Sequence, residues 1–343
     1  MLAGSTGPLG SATGLTPVAL PAFRGCRARL SSSGTNLAVP VRVLRPATGG
    51  ALIAAGVCVN GHGPFAFLID TGASITAIDS RVAALLRLRP LATGHSPGFG
   101  CDHTVSLARV NSLSVDGLRL EPQTVVVGPL RSPLTPSLDG LLGSDVLSRF
   151  AAIRIDFSSG RLTLAGPEGR PTNGSVIGDG RPRLSRALSY GTVTTVPAVM
   201  TGNSRPVSNK VADLVSNVQI QVAVGVGGGP LNNFVVDTGA GTTIISPALA
   251  MQAGLAESGR GSRGYAGLDC PVSVSHYRVG AWDLDAITAS GHSARFGLAP
   301  QTVSSNILLP DVTGLLGSGT LLRYSPVVVD YRDADLLLGP LRH

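Results

Sequence analysis

The sequence predicts a mainly β protein built as two similar lobes with a cleft between them. Three observations predict it. Glycine and proline are abundant, 45 and 24 of 343 residues, and spread along the chain without a period. The apolar runs between them are short and rich in β-branched residues, as expected of strands joined by turns. Two blocks of sequence recur in the same order, which marks an internal duplication and sets the fold before any local reading.

The recurrence is specific. Phe67-Leu68-Ile69-Asp70-Thr71-Gly72-Ala73 returns as Phe234-Val235-Val236-Asp237-Thr238-Gly239-Ala240, an offset of 167 residues. Gly140-Leu141-Leu142-Gly143-Ser144 returns as Gly314-Leu315-Leu316-Gly317-Ser318 at an offset of 174, and Arg154-Ile155-Asp156-Phe157 matches Val328-Val329-Asp330-Tyr331 at the same 174. Val39-Pro40 matches Val196-Pro197 more faintly, at 157. The offset changes only where loops lengthen. Residues 36–165 and 192–343 are therefore expected as two homologous lobes of ordinary domain size. Residues 166–191, rich in Gly, Pro, Ser and Arg, read as their linker.

Residues 1–35 are expected to be a flexible or targeting segment outside the core. Met1–Leu20 has no basic start and is broken by Gly and Pro, so it makes a poor signal peptide. An acidic-poor transit segment fits as well, and a secreted or cell-envelope location stays open.

Within each lobe the elements follow in order. Ala51–Asn60 and Val218–Val226 each lead through a Gly-rich turn into the strand that ends at the aspartate. Val105–Leu120 and Glu121–Val127 read as two further strands. Asp79 caps a short helix over Ser80–Leu86, and Ser246 with Pro247 opens its counterpart over Ala248–Ala253. Second short helices are expected at Asp145–Arg149 and Thr320–Arg323. Such a mixture suits small barrel-like lobes.

Composition narrows the function. Aromatics are only 4%, so the cores are built from Val, Leu, Ile and Ala. The net charge of +7 comes from scattered arginines without a run or interleaved aromatics, which excludes an evident nucleic-acid patch. No apolar stretch approaches the ~20 residues of a membrane span. Cys26, Cys58, Cys101 and Cys270 form no C-x-x-C, against zinc-ribbon and thioredoxin chemistry. Cys58 reads as a small buried hydrophobe. A Cys101–Cys270 disulfide and free thiols are both open.

His62, His95, His103, His276, His292 and His343 lack ligand spacing, so no metal is expected. Gly94-His95-Ser96-Pro97-Gly98 matches a nucleophile elbow, but Pro97 has no N–H to offer an oxyanion. Gly259-Arg260-Gly261-Ser262-Arg263-Gly264 does not sit between a strand and a helix, so no dinucleotide is expected there. Asn173-Gly174-Ser175 is a glycosylation sequon in the linker.

The chemistry lies in the duplicated Asp-Thr-Gly. Three apolar residues hold the strand in the core, and the chain then turns so that the aspartate emerges at a cleft. Gly72 and Gly239 permit the tight turn and the close approach of a second backbone. Thr71 and Thr238 offer hydroxyls to a facing chain. Two such loops face to face bring two carboxylates together, which then share one proton.

These residues resemble the aspartic peptidases. Hydrophobic-hydrophobic-Asp-Thr-Gly followed by Leu-Leu-Gly is present twice. Ala73 and Ala240 resemble the retroviral branch, and two copies in one chain resemble pepsin. The resemblance implies two acid-protease-type lobes related by a pseudo-twofold, with Asp70 and Asp237 as the catalytic dyad of an aspartic endopeptidase. It implies cross-lobe hydrogen bonds from Thr71 and Thr238. It places Leu141-Leu142-Gly143 and Leu315-Leu316-Gly317 behind the loops 70–74 and 237–241. It implies Gly-rich flaps, for which Gly98-Phe99-Gly100 and Gly264-Tyr265-Ala266-Gly267 are candidates beside their reading as ordinary turns. In the family a Ser or Thr near Ser74 often bonds the catalytic carboxylate; Gly241 stands there in the second lobe, with Thr242 next to it. The expected substrate is a polypeptide, the expected state a monomer with an internal pseudo-dimer, and no cofactor is implied. Two rivals remain: a peptide-binding protein without activity, and lobes that pair between chains.

Overall fold

The computed structural model describes residues 23, 25–26, 37–45, 51–96, 103–130, 138–165, 193–201, 218–266, 270–287, 292–298, 301–305 and 312–342. The expected linker lies outside them. The described residues are mainly strands, with helices of four to six residues. No helix among them is long and apolar enough to cross a membrane.

The two halves are built to one plan. Leu52–Val59 pairs antiparallel with His62–Ile69, Ala55 opposite Phe67. Gln219–Val226 pairs likewise with Leu231–Asp237, Val222 opposite Phe234. The first hairpin turns at Asn60 and Gly61, both with positive φ (50° and 80°), the pairing that suits a two-residue hairpin loop. The strand leading to each aspartate then receives a parallel neighbour. Gly140–Leu142 lies along Phe67–Ile69, and Gly314–Gly317 lies along Phe234–Asp237. The glycine that opens each neighbour is required by packing. A Cβ on Gly140 would stand 2.5 Å from the Phe67 ring, and one on Gly314 would stand 2.3 Å from the Phe234 ring.

The faint Val-Pro match belongs to the same plan. Val39 pairs with Leu162 and Pro40 with Arg161, while Val196 pairs with Leu336 and Pro197 with Asp335. Among the described residues the lobes share one antiparallel strand pair, Ala152–Asp156 with Val327–Asp330. In it Ile153 faces Val329 and Ile155 faces Val327, and Arg154 faces Val328, its own counterpart in the repeat. The pseudo-twofold axis therefore runs through the Arg154–Val328 pair.

The caps follow the sequence. Asp79 accepts from the Arg81 amide at the start of Ser80–Leu85, and Ser246 accepts from the Leu249 amide at the start of Pro247–Gln252. The second short helices, Ser144–Leu147 and Ser318–Leu321, begin directly after the Leu-Leu-Gly strands, earlier than expected, on glycine N-caps without side-chain bonds.

Two expectations are corrected. Val105–Leu120 is not one strand but three, His103–Val110, Leu113–Val115 and Leu118–Leu120. The last two form a hairpin turned at Asp116-Gly117, with φ of 45° and 88°, a strong turn pair that an alternating pattern conceals. Cys58 is not a free thiol: it is bonded to Cys26. Phe23 packs onto Gly56, where a Cβ would meet it at 2.6 Å, and Arg42 lies 3.9 Å over the Phe23 ring, a cation–π contact. Phe23 and Cys26 are thus fastened to the outer side of Leu52–Val59. Cys101 falls outside the described residues.

Closing a loop of this length by a disulfide is typically worth ~2–4 kcal/mol. Replacing Cys26 and Cys58 together by Ser is expected to lower unfolding free energy by about that amount in urea melts. Dithiothreitol is expected to lower the wild type to the level of the variant and leave the variant unchanged.

Candidate active site

Asp70 follows the last residue of its strand, and its amide donates to the Leu142 carbonyl at 3.1 Å. Asp237 ends the equivalent strand. Each aspartate folds its loop around its own carboxylate. Asp70 Oδ1 accepts from the amides of Gly72 (3.1 Å) and Ala73 (2.8 Å). Asp237 Oδ1 accepts from those of Gly239 (2.8 Å) and Ala240 (2.9 Å). The Ser74/Gly241 difference leaves these two donor sets alike.

The loops meet across the axis. Thr71 Oγ1 donates to the Val236 carbonyl and Thr238 Oγ1 to the Ile69 carbonyl, both at 2.6 Å. Each hydroxyl also accepts the other threonine's amide, at 3.1 and 3.2 Å. Both threonines are buried. The result is close contact between each carboxyl and the opposite glycine: a Cβ on Gly72 would lie 2.4 Å from Asp237 Cγ, and one on Gly239 would lie 2.3 Å from Asp70 Cγ. Glycine is needed here because the partner's acid occupies the side-chain space.

A second layer holds each loop from behind. Ser144 gives its amide to the Ala73 carbonyl (2.8 Å) and its hydroxyl to the Thr71 carbonyl (2.9 Å). Ser318 does the same to Ala240 (2.8 Å) and Thr238 (2.7 Å). Gly143 and Gly317 donate to Thr76 and Thr243 hydroxyls, each at 3.1 Å. Both glycines lie against facing backbone, with no room for a Cβ.

Three differences break the symmetry. In the first lobe Thr76 donates both its amide (2.8 Å) and its hydroxyl (2.7 Å) to the buried Asp145; the second lobe has Gly319 there, and Thr243 bonds Thr320, itself bonded to Gln301. Gln219 reaches from the second lobe to the Gly72 carbonyl at 3.4 Å, where the repeat has Leu52 in the first lobe. Tyr331 lies buried with its hydroxyl 3.4 Å from Ser144 Oγ, and its counterpart is Phe157. Sequence reasoning passed over Asp145, Gln219 and Tyr331. The repeat alignment carried the signal, since each stands opposite a residue of different chemistry.

The electrostatics follow from burial. Asp70 is held well above the usual carboxylate range by desolvation and then by the charge of Asp237, against the pull of the Ala73 and Gly72 amides. Asp237 is also raised by desolvation, offset by the Ala240 and Gly239 amides and by a hydrogen bond from Asp70. The pair therefore keeps one proton where isolated aspartates would have lost both.

The candidate flaps have a weaker standing. Gly98, Phe99, Gly100 and Gly267 fall outside the described residues. The first three lie in the chain joining Pro90–Ser96 to His103–Val110, which pair as a hairpin. Gly264, Tyr265 and Ala266 end the strand Glu257–Ala266, which pairs back on Cys270–Val279. Among the described residues no group of three or more His, Cys, Asp or Glu is placed to hold a metal ion.

The paired lobes and facing Asp-Thr-Gly loops define a class, and the comparisons agree. The chain belongs to the aspartyl protease family, whose model matches residues 55–146 and again 221–319. The solved structure of edgp is similar over 91% of this chain and 96% of its own, at 11% identity and a TM-score of 0.52, a likeness of fold. Basic 7S globulin from soybean aligns over 89% of this chain and 95% of its own at 10% identity, with a TM-score of 0.48. A retropepsin-like aspartic protease from Rickettsia conorii aligns with 38% of this chain and 98% of its own, at 24% identity and a TM-score of 0.27. No curated protein sequence matches the chain.

Asp145 yields a stability test. Desolvation raises it from 3.8 to about 6, against the bonds from Thr76 and the charge of Arg149. The folded state thus binds this proton more tightly than the unfolded chain. Its contribution is fully present below pH 3.8 and is lost as pH rises through about 6. Asp145→Asn is expected to flatten the fall in unfolding free energy between pH 4 and pH 6.5 by roughly 2 kcal/mol. Urea titrations of wild type and variant at both pH values measure it.

Proposed function

We propose that the chain is an aspartic endopeptidase in which Asp70 and Asp237 act together on one water molecule. The observation that carries this reading is the reciprocal seating of each carboxyl against the glycine of the opposite loop, in a chain of the aspartyl protease family. The charged member takes a proton from the water as its oxygen attacks the scissile carbonyl carbon. The protonated member donates to the carbonyl oxygen, giving a tetrahedral diol. A proton passed to the amide nitrogen then releases the amine and a carboxylic acid, without a covalent enzyme intermediate. Preformed amide bonds to both Oδ1 atoms fix the carboxyls before substrate arrives, so little reorganisation is left for the reaction itself. Both lobes belong to one chain and meet through its own strands, which supports an active monomer acting on polypeptides.

Asp70→Asn and Asp237→Asn are each expected to reduce cleavage of a diverse peptide mixture by at least about 1000-fold with unchanged circular dichroism. A statine-containing inhibitor is expected to block the wild type. Residual cleavage equal to wild type in either variant would remove the dyad from the mechanism. Peptide binding without turnover would assign the cleft to binding alone.

The pH profile follows from one shared proton. The rate rises as the pair loses its first proton and falls as it loses the second. Both carboxyls are raised from 3.8, so the falling limb lies well above the range of an ordinary aspartate. Steady-state rates from pH 3 to 9 measure it; a rate still climbing from pH 6 to 9 would point to a different base.

A further inference from the structure

Tyr331 lies at the end of the interlobe strand Val327–Asp330, and its amide donates to the Ala151 carbonyl at 2.9 Å. That bond anchors it on the first lobe, although it belongs to the second. It is 1% exposed, and a buried phenol needs a partner for its hydroxyl. Ser144 Oγ, at 3.4 Å, fills that place. The direction of the bond follows from counting protons. Ser144 has one hydroxyl hydrogen and gives it to the Thr71 carbonyl at 2.9 Å, so Tyr331 is the donor and Ser144 the acceptor.

The Thr71 carbonyl belongs to the same peptide unit as the Gly72 amide, which donates to Asp70 Oδ1 at 3.1 Å. A donor on that carbonyl polarises the peptide and strengthens its N–H as a donor, as in any chain of hydrogen bonds. The second lobe repeats every link but the first: Ser318 holds the Thr238 carbonyl and Gly239 holds Asp237, but Phe157 has no hydroxyl to give. Among the described residues, the charge of Asp237 acts on Asp70 across the axis, and the charge of Asp70 in turn reaches Tyr331.

We propose that Tyr331 is a positioning residue for Asp70: it opens a relay of hydrogen bonds, through Ser144 and the Thr71–Gly72 peptide, that favours negative charge on Asp70 and makes the two carboxyls unequal. The proposal rests on the endopeptidase reading for its kinetic arm alone. In this proposal Asp70 holds the shared proton of the singly protonated pair, so that Asp237 governs the rising limb of the pH profile and Asp70 the falling one. Loss of the relay acts on the falling limb.

The experiment compares wild type, Tyr331→Phe, Ser144→Ala and the double variant. In Tyr331→Phe the falling limb is expected to move up by about half a pH unit with the rising limb in place, the size expected of one hydrogen bond acting at a remove. Ser144→Ala is expected to move the same limb, and adding Tyr331→Phe to it to move the limb no further. A structural role alone would lower thermal stability without moving either limb. An unmoved limb in Tyr331→Phe, or an equal shift in both backgrounds, overturns the proposal. Carbon-13 carboxyl NMR, with Asp70 assigned from the spectrum lost in Asp70→Asn, follows the same ionisation without turnover. If the wild type cleaves no peptide, the endopeptidase reading fails while this titration still decides the role of Tyr331.

Discussion

The hydroxyls of Thr71 and Thr238 each accept the other's amide and donate to the strand that leads to the other lobe's aspartate, and the rest of the site is placed relative to that exchange. Neither threonine can satisfy its buried groups within its own lobe, and an unpaired buried polar group costs roughly 1–3 kcal/mol. The lobes are therefore held at one distance and one rotation. At that distance the side-chain space of each glycine is filled by the opposite acid, and the acids lose most of their water. The raised affinity for a shared proton follows from the threonine contacts without further machinery.

The parts of this arrangement that were legible in the sequence were those that the duplication writes twice. Phe67 and Gly140, and Phe234 and Gly314, recur because a ring and a bare Cα must meet in both lobes. Asp-Thr-Gly recurs because both loops make the same reciprocal contacts. What was hidden depends on pairing between distant single residues. Cys26 meets Cys58 because a short piece of chain lies on the outer side of a strand, and no spacing rule announces that. The run Val105–Leu120 alternates within each of its pieces, and its two breaks, Asn111-Ser112 and Asp116-Gly117, each shift the alternation by only one residue, which is easily read as an irregularity within one strand. Asp145 and Tyr331 were invisible as motifs, and only their partners, Thr76 and Ser144, give them meaning.

Backbone symmetry and side-chain symmetry have separated in this molecule. Registers agree between lobes at almost every strand, since a slip of one residue would turn a buried face outward. The side chains around the loops differ where either choice can satisfy a buried donor. Asp145 serves Thr76 in one lobe, and Thr320 with Gln301 serves Thr243 in the other. One solution is ionisable and the other is not, so the halves respond to acid differently while keeping the same shape.

The pairing of Arg154 with Val328 carries a consequence for how such a chain can arise. A strand that meets its own counterpart at the centre of the ladder is self-complementary, so two copies of either half present the same edge to each other in the same register. Joining two such halves in one chain raises the effective concentration of one half near the other. It also removes the requirement that both halves be identical. A tyrosine at 331 with a phenylalanine at 157, or an aspartate at 145 with a glycine at 319, is open to a single chain and closed to a pair of identical ones.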